Sequence, residues 1–548
     1  MKFSQIELEQ AIQSIPYIEN LSALSFSKER VNFDITFDFE GLDKPIDFNV
    51  IIYPAYPLKI DDCESICFYL KDDEYKKFSH VMSNNAICFH NQHCIIFQKK
   101  LHQDFQAIKQ WIIKYVINQE KDEHYEHLIT ANHTYNGVYF SFQFTDTDTD
   151  TDTDTDKLFS QNEIGIVTNT YLTTSKYQDK DMHNYLVQSF THNFTQKNCQ
   201  WSSFYSDKKT DLSGIYIFIE DKPSIYDRFS FSNWQEFKSI FNQEMLSEIW
   251  KITCTIKQEY IPIFIGYYTK NQNIHWQVAI IDLKDPFFKN KNGMYELCDK
   301  QISWVISKNS SYNYFFGRGA FHPNLTNKKV LIIGLGAIGS QVAKTLVRGG
   351  CPNITIADYD IKEPENICRS EYNFVPPYTN KTDELAGILW SISPFVEVSS
   401  IRHFATECIK FDIPSEDINH LSKQLSEFDY IFDCSTDDDL MYITDKLNLT
   451  STIFNLSITN HAKVLTCGIS PNHYQFIRHQ FDKILKNDVL DLYNPIGCWN
   501  PTFKASYNDI AIMVQLSLRT INLMIQENNY QHFTIQYDDN LNLKVERF

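Results

Sequence analysis

Six residues, Gly334-Leu335-Gly336-Ala337-Ile338-Gly339, stand between an apolar run at 330–333 and a helix-period pattern, and they limit what this chain can become. Glycines at these spacings let a strand turn tightly into a helix while main-chain N–H groups approach a bound anion. Alone, the motif also suits a tight turn with no ligand. The next 30 residues narrow the choice. A second apolar run at 354–357 ends in Asp358-Tyr359-Asp360, and Asn366-Ile367-Cys368-Arg369 comes next, so that 36 residues carry the whole pattern from Gly334 to Arg369. An acid roughly 20 residues beyond such a turn accepts hydrogen bonds from ribose hydroxyls. The pattern predicts a nucleotide site built from Gly334, Gly336, Gly339, Asp358, Asp360 and Asn366.

Two kinds of nucleotide enzyme use such a turn. Hydride transfer needs no guanidinium beside the phosphates, whereas acyl adenylation must neutralise the charge of a triphosphate. Arg369, 11 residues after Asp358, and Lys381, 12 further on, are cations suited to that task and favour ATP over NAD. Residues 429–437, Asp-Tyr-Ile-Phe-Asp-Cys-Ser-Thr-Asp, read as another strand ending in carboxylates, where Mg2+ can sit.

Residues 313–548 resemble the ThiF-type, ubiquitin-activating adenylyltransferases in the glycine turn, Asp358-Tyr359-Asp360, Asn366 with Arg369, Lys381, Ser393-Pro394-Phe395-Val396 and Asp437. The resemblance implies a Rossmann-like domain in which Asp358 holds the ribose, Arg369 and Lys381 hold phosphates, and Asp437 holds the metal. It also implies a homodimer, with Arg318 of Phe316-Gly317-Arg318-Gly319 reaching the neighbouring subunit's ATP. Two departures stand out. Ser370 follows the arginine where the family often has glutamine, and Thr436-Asp437-Asp438 replaces Thr-Asp-Asn, which leaves Asp433 and Asp438 as alternatives to Asp437.

A length of 548 residues predicts several domains with large cores. A net charge of −19 argues against nucleic acid as a partner, because phosphate binding draws on clustered Lys and Arg. The first ten residues carry two glutamates and no apolar core, unlike a signal peptide, and no 18-residue apolar stretch suggests a membrane span. Thirteen irregularly spaced cysteines without a CxxC pair predict reduced thiols and no structural zinc. A cytoplasmic location is the expectation.

Residues 145–156 are six Thr-Asp repeats, whose carboxylates repel one another and offer nothing to bury. Runs at 136–144 and 163–171 flank them and read as strands, so the repeat suits a hairpin tip. In the β-rich middle region, 131–312, strand patterns at 214–219 and 261–268 accompany one helical pattern at 234–251.

The first 130 residues begin with an amphipathic helix at 6–15. Alternating runs at 31–39 and 46–53 read as an antiparallel meander that stops at Tyr53-Pro54-Ala55-Tyr56-Pro57. A loop containing His80 and Ile87-Cys88 follows, then a helix with Leu101, Phe105, Ile108, Ile112 and Tyr115 on one face. This order resembles the ubiquitin-conjugating α+β fold, which implies that Cys88 is the acyl-carrying thiol. That family's His-Pro-Asn is reduced here to His80, eight residues before Cys88. His80 either replaces the missing asparagine as a donor or pins the loop, and Asn84 and Asn85 stand nearer still.

An activating enzyme that hands on its product needs a cysteine of its own, because thiolate attack turns an acyl adenylate into a transferable thioester. The candidates in residues 313–548 are Cys351, Cys368, Cys408, Cys434, Cys467 and Cys498; Cys351, Cys434 and Cys467 fall in packed patterns, and Cys368 lies inside the Asn366–Arg369 motif. Cys498 lies among turn-forming residues in Asn494-Pro495-Ile496-Gly497-Cys498-Trp499-Asn500-Pro501, just before the apolar helix expected at 509–525. It is the candidate.

With a conjugating-like domain at 1–130, a linking domain at 131–312 and a ThiF-type domain at 313–548, the whole chain resembles the fused activating–conjugating enzymes of antiphage CBASS operons. That resemblance implies ATP-dependent adenylation of a partner's C-terminus, thioester relay and ligation to lysine amines of target proteins. The partner it implies is a cGAS-like nucleotidyltransferase. A ThiF-type enzyme that activates a sulfur carrier would share the adenylation residues without needing Cys88.

Overall fold

The computed structural model describes residues 3–60, 63–82, 84–120, 137–144, 158–177, 180–219, 233–268, 274–283, 288–289, 295–296, 302–375, 377–402, 415–484, 503–538, 540 and 542–548. The chain forms two compact units, one joining Met1–Cys199 with Lys209–Ser310 and the other joining Gln200–Lys208 with Ser311–Phe548.

The C-terminal unit is built on an eight-stranded sheet. Its strands run in the order Glu397–Ile401, Asn353–Ala357, Lys329–Ile333, Tyr430–Asp433, Thr452–Ile458, Val464–Ile469, Phe533–Tyr537, Leu543–Arg547. The first five are parallel to one another and the last three pairings are antiparallel. Parallel strands covered on both faces read as continuous apolar runs, and Val330, Leu331 and Ile332 are wholly buried. The helix Gly339–Arg348 covers one face with Val342, Ala343 and Leu346, against Leu385 and Leu389 of the helix Lys381–Ile392 and Ile521 of the helix Tyr507–Glu527. Register then places the chemistry. Ile333 pairs with Ala357 on one side and Asp433 on the other, so the residues after all three strands leave the sheet at the same edge. Strand order reverses beside Lys329–Ile333, the switch point where open α/β sheets hold ligands.

One stretch assigned from the sequence to the middle region belongs to this unit instead. In Gln200–Lys208, Phe204 stacks on Trp390 at 4.6 Å, Tyr205 Oη donates to the Trp390 carbonyl at 2.6 Å, and the Ser203 N–H donates to Glu397 Oε1 at 2.7 Å. Two aromatic side chains that would otherwise face water account for the excursion.

In the other unit, the helix Gln5–Gln13 precedes an antiparallel meander of Ile18–Leu21, Val31–Phe37, Ile46–Ile52 and Ile66–Leu70, with Ser25–Phe26 added beside Val31–Phe37. Val31, Phe33, Ile35 and Phe37 all point inward, the period-two burial of a half-covered sheet. The helix Phe97–Trp111 closes over that face with Leu101, Phe105 and Ile108 and runs on as a wider turn through Ile112–Ile117. Beneath it, Lys100 Nζ donates to Glu64 Oε2 at 2.7 Å and to Asp104. Tyr56 Oη and Asn91 Nδ2 donate to Asp104 at 2.8 and 2.7 Å. Buried charges persist only when paired in this way, and the pairing ties the segment after Cys88 to the helix.

The middle region forms a second sheet, ordered Val138–Phe142, Ile302–Asn309, Ile274–Asp282, Tyr260–Tyr268, Leu212–Phe218, Ile164–Tyr177, Lys180–His192, Thr195–Asn198. Val138–Phe142 also pairs with Lys180–His192, which closes the sheet on itself around Phe140, Phe159, Phe190, Tyr216 and Trp276. Two expectations fail here. The strands flanking the Thr-Asp repeat are not hairpin partners: Val138–Phe142 pairs in parallel with Ile302–Asn309 and Lys180–His192, while Ile164–Tyr177 pairs with Lys180–His192 and Leu212–Phe218. The repeat itself lies outside the described residues. The single helix expected at 234–251 is broken into Trp234–Phe237, a tight turn at Lys238–Ile240 and Gln243–Thr255. Asn242 caps the last of these by accepting from the Met245 N–H at 2.9 Å, a bond that starts a new helix there. Among the described residues, no helix is long and apolar enough to cross a membrane.

Candidate functional site

The glycine turn is shaped by two close approaches and one open position. Gly334 adopts φ +78°, and a Cβ there would lie 2.4 Å from Ser435 Cα. At Gly339 a Cβ would lie 1.8 Å from the Gly334 carbonyl oxygen. Gly336 is different, since a Cβ would meet nothing within 4 Å. Gly339→Ala should therefore cost about 3 kcal/mol or more of stability through backbone overlap, while Gly336→Ala should stay within about 0.5 kcal/mol and instead weaken nucleotide binding. Thermal unfolding of the two variants, with ATP titrated into each, checks the contrast.

Side chains from the neighbouring strand ends lock this turn. Asp358, at the end of Asn353–Ala357, accepts the Leu335 N–H at 2.6 Å through one oxygen and the Asp360 N–H at 2.8 Å through the other. Lys381 Nζ donates to Asp360 Oδ2 at 2.9 Å and lies 4.0 Å from Asp358. Lys381 begins the helix Lys381–Ile392, and its N–H donates to the Asp360 carbonyl at 3.0 Å. Asn366 Oδ1 accepts the Glu363 N–H at 3.1 Å and starts the short helix Pro364–Ile367. The Arg369 carbonyl meets Gln341 Nε2, on the first turn of the glycine helix, at 3.5 Å. The Arg369 guanidinium donates to the Phe503 carbonyl at 2.7 Å and lies 4.8 Å from the centre of the Phe503 ring. Its partial burial moves the pKa down from the ordinary arginine value.

The three carboxylates considered for metal differ in what they hold. Burial pushes Asp433 above the usual carboxylate range, against hydrogen bonds from the Ser435 side chain and N–H and from Asn455 at 2.7, 3.1 and 2.8 Å. Asp438 pairs with Arg478 at 3.0 Å. Asp437 is exposed and caps the helix Asp438–Lys446, its Oδ1 accepting the N–H groups of Asp439 and Leu440 at 2.9 and 3.0 Å. Among the described residues its Oδ2 has no hydrogen-bond partner. Thr436 beside it adopts φ +57°, a strained conformation for a β-branched residue. No group of three or more His, Cys, Asp or Glu among the described residues could hold an ion by itself. A single free carboxylate oxygen fits Mg2+, which takes one or two carboxylates and completes its shell with phosphates and water.

Arg318 is exposed after the helix Tyr312–Phe316, and among the described residues no contact joins it to this group. Cys498 lies outside the described residues. Cys88 is exposed just beyond buried Ile87, and its N–H donates to the His80 carbonyl at 2.7 Å. Packing around the sulfur pushes the Cys88 thiol up, with Cys63 adding to the effect. His80 itself adopts φ +65° and rests its ring against Tyr115 at 5.3 Å. Asn85 Nδ2 donates to Asp73 and the Leu70 carbonyl at 2.9 and 3.2 Å, and Asn84 Oδ1 accepts the Ala86 N–H at 3.2 Å. Sequence reading missed Tyr372 and Ser340, which hold the carbonyls of the glycine turn. Ser340 carries a signal in standing directly after Gly339, whereas nothing local marks Tyr372.

A glycine turn at the switch point, flanked by paired aspartates, is the arrangement of a nucleotide-binding α/β domain, and residues 312–455 match the ThiF family. Over 363 residues the chain is 22% identical to the ATP-dependent ubiquitin transferase-like protein Cap2 of Enterobacter hormaechei subsp. hoffmannii (strain UCI 50), covering 59% of this chain and 58% of that protein. It is 34% identical over 93 residues to ubiquitin-like modifier-activating enzyme 5 of Dictyostelium discoideum, covering 17% of this chain and 24% of that one. The chain thus spans little over half the length of the first relative and about a quarter of the second. A match to a solved structure of E. coli MccB with ATP, 19% identical, covers 41% of this chain and 64% of that one with a TM-score of 0.29. These matches liken residues 312–455 to the ThiF family and a longer stretch of the chain to Cap2.

Proposed function

We propose that this chain is an ATP-dependent protein ligase that activates the C-terminus of a partner protein and transfers it to amines. The carboxylate of the partner attacks the α-phosphorus of ATP, giving an acyl adenylate and pyrophosphate. The Cys498 thiolate then attacks the acyl carbon and releases AMP. Thioester exchange passes the acyl group to Cys88, and a lysine amine of the target takes it while the Cys88 thiol leaves. The observation that carries the first step is the single edge at which the glycine turn, Asp358, Lys381 and Asp437 meet.

Each group has a task there. Asp358 holds the turn and offers its remaining lone pairs to the ribose, with Asp360 keeping Lys381 in reach. Arg369 and Lys381 stabilise charge on the phosphates. A magnesium ion held by Asp437 supplies further neutralisation when bound. The N-terminal helix, meander and helix support the conjugating-like reading of Cys88, and His80 pins that loop through its main chain. The resemblance of the sequence to the fused enzymes of CBASS operons implies a cGAS-like nucleotidyltransferase as the activated partner, an antiphage role in the cytoplasm, and a homodimer through residues 313–548.

Asp437→Ala should abolish partner-dependent ATP–pyrophosphate exchange. In the homodimer, Arg318 of one subunit completes the other's site, so mixing Arg318→Ala with Asp437→Ala chains should restore part of the exchange. Exchange at the wild-type rate in Asp437→Ala would remove the metal assignment, and verified mixed dimers without recovery would remove the shared site.

A further inference from the structure

Two hydroxyl groups fix the main chain of the glycine turn from the buried side. Tyr372 Oη donates to the Leu335 carbonyl at 2.8 Å, and Ser340 Oγ joins the Ser340 N–H on the Gly336 carbonyl, at 2.7 and 3.2 Å. Both side chains are inside the protein, with Tyr372 4% exposed and Ser340 wholly buried. Burial, together with Asp358, Glu384 and Asp360, holds the Tyr372 phenol well above its ordinary pKa, so it remains a donor at working pH. In a planar trans peptide the N–H points opposite to the C=O. Binding the Leu335 carbonyl inward therefore turns the Gly336 N–H outward, and binding the Gly336 carbonyl does the same for the Ala337 N–H. Space beside the turn is open, since a Cβ on Gly336 would meet nothing within 4 Å. Leu335 is held from its other end as well, through its N–H on Asp358.

We propose that Tyr372 and Ser340 are positioning residues for phosphate, aiming the Gly336 and Ala337 amides at the nucleotide before it arrives. The inference rests on the adenylation reading and deepens it by assigning the anion-binding amides to two side chains that touch no ligand. Their surroundings support a fixed geometry. The Glu371 N–H donates to Ser340 Oγ at 3.2 Å, while Glu371 itself takes Lys344 and the Tyr507 hydroxyl. Ser340 thus sits in a chain of bonds reaching the helix Tyr507–Glu527.

Each hydroxyl controls a phosphate contact and leaves the base and ribose alone, so its loss should be selective. The full chain, with ATP and separately with adenosine, is titrated by calorimetry for wild type, Tyr372→Phe and Ser340→Ala. Each variant should bind ATP roughly three- to tenfold more weakly, the range of one net hydrogen bond, with adenosine changed less than about twofold. Equal weakening of both ligands would show a merely structural role and overturn the proposal. So would unchanged ATP affinity in both variants beside a wild type that binds ATP. A wild type that binds no ATP would overturn the adenylation reading and this proposal with it.

Discussion

Replacing Arg369 with alanine should lower partner-dependent ATP–pyrophosphate exchange by about 10²- to 10³-fold, the usual effect of removing one preorganised donor from a developing charge. Its guanidinium is already oriented by the Phe503 carbonyl and ring, so little reorganisation is needed when the nucleotide binds. Losing that charge-assisted hydrogen bond should cost about 1.5–3 kcal/mol of stability, a change that thermal unfolding of the variant separates from the loss of exchange. Arg369→Lys should recover a minor part, because an ammonium lacks the planar fork that grips a phosphate and a carbonyl together. Exchange within about threefold of wild type in Arg369→Ala would remove Arg369 from the site.

The second large effect belongs to the cysteines. Cys88→Ala should stop ligation completely while leaving a thiol-sensitive adduct on Cys498, and Cys498→Ala should allow adenylate formation without any thioester. Because packing pushes the Cys88 thiol up, little of it is thiolate at neutral pH, and transfer onto Cys88 should speed up as pH rises through and beyond the ordinary thiol range. Replacing Cys88 by serine should trap a slower oxyester, since an alkoxide is a poorer leaving group than a thiolate.

Much of the C-terminal fold was legible because parallel strands buried on both faces must be apolar, and the glycines and aspartates mark where they end. The strand runs at 330–333 and 354–357 differ by a residue or less from Lys329–Ile333 and Asn353–Ala357. The meander was readable for a similar reason, as alternation at 31–39 and 46–53 requires one covered face. Pairing partners were not readable. Nothing local in Val138–Phe142 says that it bonds to Ile302–Asn309, some 160 residues away, because that choice depends on closing the sheet around Trp276 and Phe190. Nor does Phe204 announce that it stacks on Trp390. At the site, acids and cations could be named from their types, but their bonds could not. Lys381 was expected on phosphate and lies on Asp360, and Asp358 already spends a lone pair of one oxygen on the Leu335 N–H of the turn and one of the other on the Asp360 N–H. Tyr372 stayed hidden because its hydroxyl acts on a carbonyl 37 residues earlier, a contact visible only in three dimensions.

The most direct test of the relay is a non-reducing gel of the full chain with ATP and the partner, run with and without thiol. Wild type should yield partner–target conjugates that survive thiol. The Cys88→Ala chain should show no conjugate and one thiol-labile band between enzyme and partner. Ligation that proceeds unchanged in Cys88→Ala would contradict the two-cysteine account and leave the N-terminal domain as a recruiting module.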